Sequence, residues 1–126
     1  MQKKSHVIGG APAALGAYSH AAEAGGMFFL SGQLGIDPNT GNLANGGVEG
    51  ETERAMENIG VILRGLQLDF SNVVKSVIYF TDVEDFGKIN GIYGRYFKEN
   101  FPARSAAVVS KLVKNAKVEI EVIAAR

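Results

Sequence analysis

The chain has 126 residues, which suits one domain spanning 1–126, with a core large enough to need no covalent staples. Its 13 basic and 13 acidic residues balance and are scattered, so no nucleic-acid or other polyanionic partner is expected. It has no cysteine, which excludes disulfides, thiolate metal sites and a thiol nucleophile. Met1-Gln2-Lys3-Lys4 is not followed by an apolar segment, and no apolar run approaches membrane-spanning length. A soluble, cytoplasmic protein with no membrane partner is the expectation.

Residues 5–16, with Gly9-Gly10 and Pro12, read as an irregular lead-in, and residues 18–23 as a first strand. Gly25-Gly26 signals a turn into a second, apolar strand, Met27-Phe28-Phe29-Leu30-Ser31-Gly32. A long turn-rich loop follows over residues 37–50, and its length predicts either function or mobility. From Glu51 the period becomes helical. Ala55, Ile59, Ile62 and Leu66 form one stripe, with Met56 and Leu63 beside it. Glu51 and Glu53 suit a helix N-terminus, and Gly65 is the expected stop signal.

Residues 73–81 predict a strand with Val73, Lys75, Val77 and Tyr79 on one face and Val74, Ser76, Ile78 and Phe80 on the other. Both faces are fairly apolar, which predicts a central strand. Residues 82–97 return to helix, with Phe86, Ile89, Tyr93, Tyr96 and Phe97 as the apolar stripe. Gly87, Gly91 and Gly94 each cost such a helix about 1 kcal/mol against alanine, so close backbone packing is expected there. Pro102 turns Phe101 toward an extended conformation and ends the helix. Residues 104–110 form the next strand, Lys114-Asn115 a turn, and residues 118–125 an alternating last strand.

The order ββαβαββ implies an α+β fold, a mixed β-sheet packed on two helices. Two helices cover one sheet face only. The other keeps Met27, Phe29, Val77, Tyr79 and Ile123, and homo-oligomerisation is the simplest way to bury them, provided each register holds.

Arg104 opens a strand with a permanent charge and a planar fork suited to a carboxylate. Glu119 lies early in the following strand, opposite in facing to Val118 and Ile120. If the two strands are neighbours, both side chains approach one cleft, where the carboxylate can activate water as a general base. Spacing alone favours an ordinary cross-strand ion pair, and Glu121 on the same face fits either role equally. Tyr18, where lead-in meets strand, can reach a ligand or simply pack. Ser31 and Gly32 offer a hydroxyl and a backbone amide to a carboxylate or oxyanion at a strand exit. Asn90 sits in an apolar helix and needs a polar partner. His6 reads as tail, and His20 as structural ahead of the alternative that it lines a pocket near Tyr18; their spacing is not that of metal ligands. No phosphate loop, dinucleotide fingerprint or nucleophile elbow occurs.

The ordered runs Ala11-Pro12-Ala13-Ala14-Leu15-Gly16-Ala17-Tyr18-Ser19, Phe29-Leu30-Ser31-Gly32-Gln33-Leu34-Gly35, Asp37-Pro38-Asn39-Thr40-Gly41, Phe101-Pro102-Ala103-Arg104-Ser105 and Val118-Glu119-Ile120-Glu121-Val122 resemble the RidA/YjgF family of reactive-intermediate imine/enamine deaminases, also called the L-PSP endoribonuclease family. Ala55-Met56-Glu57-Asn58-Ile59 and the run from Val74 to Asp82 extend the likeness nearly end to end. The resemblance implies a chorismate-mutase-like fold and a homotrimer with clefts between subunits. It implies that Arg104 grips the carboxylate of a 2-imino or 2-enamino acid such as 2-aminoacrylate, and that Glu119 holds the attacking water. Tyr18 of a neighbouring subunit would close the pocket. Ser31, Gly32 and Asn90 would line it, and the backbone at Ala106 would help bind the ligand. The products are a 2-keto acid and ammonia, with no metal and no cofactor.

The chain departs from the family pattern in four places. Ala106 replaces a frequent cysteine, and Ala17 a frequent proline. Val113 stands where proline is common, and the stretch before Phe101 is short. These changes bear on substrate preference more than on fold. Two other functions remain open on the sequence: a non-catalytic small-carboxylate-binding or regulatory protein, and an endoribonuclease on single-stranded RNA. The second lacks a basic stripe with interleaved aromatics.

Overall fold

The computed structural model describes residues 2–126. In chain order it contains β1 (Lys4–His6), β2 (Ala21–Ala24), β3 (Met27–Leu30), β4 (Gln33–Leu34), α1 (Gly47–Gly65), β5 (Val73–Phe80), α2 (Phe86–Gly94), β6 (Ala103–Val108) and β7 (Val118–Ala125). All strands join one sheet in the order β1-β2-β3-β7-β5-β6, with β4 continuing along β7 beyond the end of β3. Only β5 and β6 are parallel. This is the α+β arrangement of a mixed sheet on two helices, with two short strands, β1 and β4, added to the expected order.

Both helices pack on one sheet face. The expected stripe of α1 is buried throughout: Ala55, Met56, Ile59, Ile62, Leu63 and Leu66 meet Phe28, Ile78, Ile120 and Val122 of the sheet. Burial of each large apolar side chain contributes about 1.5–3 kcal/mol, so this layer dominates the fold's stability. α1 begins at Gly47, four positions before the acidic residue that marks its start in the sequence. Gly46 and Gly47 adopt positive φ at 103° and 67°, and a β-carbon on Gly50 would overlap the Asn45 carbonyl. This glycine-rich first turn obscures the helix in a propensity reading.

The loop ahead of α1 is anchored. Asn58, fully buried on α1, donates its amide to the carbonyls of Leu34 (3.2 Å) and Ile36 (2.9 Å). Ala44 N–H donates to Gly35 O at 2.8 Å and closes the loop on itself.

Four local expectations are corrected. The first strand starts at Ala21, which leaves Tyr18 on the preceding loop. His6 belongs to β1, where it pairs with Glu23 at 2.9 Å. A bulge between Val73 and Lys75 turns Val73 inward with Ser76, Ile78 and Phe80, and leaves Val74 exposed. The α2 glycines are not at a close backbone approach: β-carbons on Gly87, Gly91 and Gly94 would meet nothing within 4 Å. The helix is held by Ile89, Ile92 and Tyr93 instead.

The second sheet face has no helix over it. The pairings Phe29↔Ile123, Val77↔Glu121 and Tyr79↔Glu119 put Met27, Phe29, Val77, Tyr79 and Ile123 together there, as the alternation predicts. Phe29 is 46% exposed.

Candidate functional site

Two groups of side chains form, on opposite faces of the sheet. The first surrounds Arg104. Arg104 pairs in register with Ser76, a residue facing the helices, so its side chain rises toward α2. There the guanidinium Nη1 donates to Asn90 Oδ1 at 2.7 Å. The guanidinium carbon lies 5.5 Å from the ring centre of Phe86 and 5.1 Å from that of Tyr93. Phe86, Asn90 and Tyr93 are spaced to share one helix face. Beneath them the Tyr93 hydroxyl donates to the buried Ser76 Oγ at 2.9 Å, which fixes the ring. Burial pushes the Tyr93 phenol above its ordinary range, outweighing the opposing effects of Ser76 and Arg104. Tyr93 is therefore a neutral donor and a cation-accepting ring face.

Arg104, Asn90, Tyr93, Gly94, Phe101 and Pro102 line a concavity of about 400 Å³. Among the described residues no carboxylate forms a salt bridge with Arg104. The cross-strand pair with Glu119 or Glu121 does not form within the chain, because β5 lies between their strands. Its charge is steadied by an amide and two ring faces, and its fork remains directed at the concavity. Ala106 lies two residues further along β6, on the same face. β6 is the sheet edge, and all six of its residues are exposed.

The second group surrounds Glu119 on the open face. Tyr79 lies directly across on β5 and Leu34 across on β4. Gly32 sits in the break between β3 and β4, where a β-carbon would overlap the Glu119 carboxylate. A residue with no side chain is needed for that carboxylate to hold its place. Burial raises the Glu119 carboxyl above the usual range, and the negative charge of Glu121 raises it further. Tyr79 donates its hydroxyl to Glu121 Oε1 at 2.6 Å, so among the described residues the Glu121 carboxylate has a side-chain partner and that of Glu119 has none. The Tyr79 phenol is itself pushed up, chiefly by that hydrogen bond to the carboxylate. Ser31 donates its hydroxyl to Ser19 O at 2.7 Å, tying this group to the loop that carries Tyr18. The Tyr18 side chain is 52% exposed.

The structure thus brings Arg104 together with Asn90, and Glu119 together with Gly32, with Ser31 adjacent. It does not bring Arg104 to Glu119. Their strands are not neighbours: β5 separates β6 from β7, and the two side chains leave opposite faces. Phe86 and Tyr93 belong by spacing to the apolar stripe of the helix, yet they flank the arginine. Their spacing around Asn90 is the signal that finds them. Tyr79 becomes visible only once β5 and β7 are paired in register. A separate hollow of about 490 Å³ beside Phe70, Tyr96 and Phe97 has its nearby polar groups in local use: Asp69 caps the turn at Phe70–Asn72, and Tyr96 donates to Glu57.

The model of the family described as Endoribonuclease L-PSP matches residues 8–126. A 2-iminobutanoate/2-iminopropanoate deaminase from Homo sapiens is 46% identical over 114 residues, 90% of this chain and 83% of that protein. The crystal structure of YyfA from Yersinia pestis, a protein of unknown function in the conserved Rid family, matches with a TM-score of 0.96. That match is 39% identical and covers 99% of this chain and 100% of that one. E. coli TdcF with bound serine matches with a TM-score of 0.89 at 33% identity, over 97% and 99% of the two chains.

Proposed function

The chain belongs to the endoribonuclease L-PSP (RidA/YjgF) family, and from that premise we propose that it hydrolyses reactive 2-imino and 2-enamino acids to 2-keto acids and ammonia. The observation that carries this reading is the Arg104 guanidinium, in no salt bridge among the described residues and held by Asn90 at the wall of a small concavity. The human relative is named for that reaction. Serine, the ligand of TdcF, carries an α-carboxylate beside a nitrogen-bearing carbon, as the substrate class does.

In this reading the site is shared between subunits of a homotrimer. One subunit supplies Arg104, Asn90 and the backbone at Ala106. Its neighbour supplies Glu119, Gly32, Ser31 and Tyr18. The separation of the two groups across one sheet, the exposed edge strand and the uncovered apolar face support the assembly. Arg104 holds the substrate carboxylate by two parallel hydrogen bonds and draws electron density from the adjacent carbon. An enamine first takes a proton at C3 and becomes the imine. Glu119 orients a water and takes one of its protons as the water oxygen bonds to C2; the C=N π electrons move onto nitrogen, which receives that proton from Glu119. The resulting adduct carries hydroxyl and amino groups on C2. Its C–N bond breaks as the hydroxyl proton moves, by way of Glu119, to the departing nitrogen. Ammonia leaves and the keto group forms. A carboxyl held above its ordinary range suits a group that takes and returns a proton.

The test is pyruvate release from 2-aminoacrylate generated in place by a lyase, with the protein and its Arg104→Ala variant compared. Acceleration by the protein and none by the variant is expected. A folded protein that binds keto acids yet gives no acceleration would replace this reading with a non-catalytic carboxylate-binding one.

A further inference from the structure

We propose that His20 is a positioning residue for Tyr18: its ring ties the start of the loop, at Ile8 and Pro12, to the strand-entry end on which Tyr18 sits. The inference rests on the shared site proposed above, in which Tyr18 closes the pocket.

His20 is 2% exposed. Its Nδ1 accepts the Ile8 backbone N–H at 2.8 Å, and its Nε2 lies 2.7 Å from the Pro12 carbonyl. A backbone N–H only donates and a carbonyl only accepts, so the partners dictate the tautomer. The ring is neutral, with the proton on Nε2 and the lone pair on Nδ1. Ile8 packs against the core, where a β-carbon on Gly65 of α1 would press on its side chain. One end of the loop is therefore anchored in the interior through this ring. The other end is held by Ser31, whose N–H donates to His20 O at 3.0 Å and whose hydroxyl donates to Ser19 O at 2.7 Å. Tyr18 makes no side-chain hydrogen bond among the described residues and is 52% exposed, and Leu15, three residues earlier on the same loop, is 82% exposed. Nothing on Tyr18 itself fixes its place, so its position follows from the clasp on the backbone either side. A misplacement of about 1 Å at a reacting group costs on the order of 100-fold in rate. A buried ring that sets this loop therefore bears on turnover without touching substrate.

Two variants separate hydrogen bonding from packing. His20→Ala removes acceptor and donor together. His20→Gln restores one of each on a single amide. Three readouts apply to the assembled protein: amide hydrogen exchange across residues 9–19, the 19F signal of fluorotyrosine at position 18 (assigned with Tyr18→Phe), and kcat and KM on an imino acid generated in place. In His20→Ala we expect faster loop exchange, a broadened Tyr18 signal and a kcat/KM lower by about 10- to 100-fold. His20→Gln should recover most of all three. An unchanged Tyr18 signal in His20→Ala would overturn the proposal, as would a His20→Gln variant no better than His20→Ala. Should His20→Ala not assemble, 15N NMR of the native ring decides: a proton on Nδ1 overturns the clasp, and a bare Nδ1 coupled to the Ile8 N–H upholds it. If the native protein turned over no imino acid, the function proposed above would fall. The exchange, fluorine and tautomer measurements would then still decide the clasp.

Discussion

A guanidinium wedged between an amide and two aromatic rings, with no acid in reach, is oriented without being neutralised. Arg104→Lys keeps the charge but loses the fork, and one charge-assisted hydrogen bond is worth roughly 1.5–3 kcal/mol. We expect kcat/KM to fall about 10- to 150-fold, with most of the loss in KM, as steady-state kinetics would show. Glu119 gives a pH prediction with a definite sign. Burial and Glu121 both raise its carboxyl, and in the proposed mechanism the working form is the carboxylate. Activity should therefore fall as pH drops through that raised value. Glu121→Gln removes the second cause, so the acid limb of the kcat/KM profile should move to lower pH; a limb that stays in place would deny Glu121 this influence. The same shift bears on stability. A carboxyl raised in the folded state favours folding when protonated, and that contribution is lost as pH rises through the folded value. Glu119→Gln should thus be less active yet melt at a higher temperature near neutral pH, and the thermal gain should shrink in acid. Arg104, Glu119 and Asn90 were legible as candidates because their residue types are unusual for their positions. Tyr93 and Phe86 were not, because an aromatic on a helix stripe looks the same whether it fills the core or supports a cation.

α2 contains three glycines with open space at each, so its weakness is intrinsic and no packing demand explains it. Gly91 is exposed and has ordinary helical backbone. Gly91→Ala should stabilise the protein by about 1 kcal/mol in denaturant unfolding, the usual difference in helix propensity. The opposite holds where α1 meets the loop before it. Asn58→Ala leaves the carbonyls of Leu34 and Ile36 without their donor, at about 1–3 kcal/mol each, and should speed amide exchange over residues 35–46. The strands and helices with clear apolar periods, α1, β3, β5 and β7, were readable from the chain because each buries one full face. β1 and β4 were not readable, since strands of three and two residues carry no period and exist through their neighbours. The bulge at Val73 and Lys75 is likewise a property of the pairing with β7: alternation continues through it in sequence and breaks in space.

At the scale of the whole molecule, sheet geometry decides how the site can be completed. Side chains on neighbouring strands in register share a face, and β5 places Ser76 beside Arg104 while it places Tyr79 beside Glu119. Ser76 faces the helices and Tyr79 faces away. No rotamer of Arg104 brings its fork through the sheet to Glu119, so the proposed site, which uses both, needs two chains. The sequence spacing of the two residues, which suggested a shared cleft, carries no information about this, because it omits the strand that comes between them. In the proposed homotrimer each cleft would take Arg104 from one chain and Glu119 from the next. Arg104→Ala and Glu119→Ala are then each inactive alone but complementary when mixed. A cleft works when the chain supplying arginine carries the Glu119 change and the chain supplying glutamate carries the Arg104 change. With equal, random assembly each condition is met half the time, so about a quarter of the clefts should be intact. Unfolding and refolding the two variants together should restore about a quarter of the wild-type rate, while each variant refolded alone stays inactive. A mixture as inactive as its parts, in trimers shown by mass spectrometry to be mixed, would refute the shared cleft.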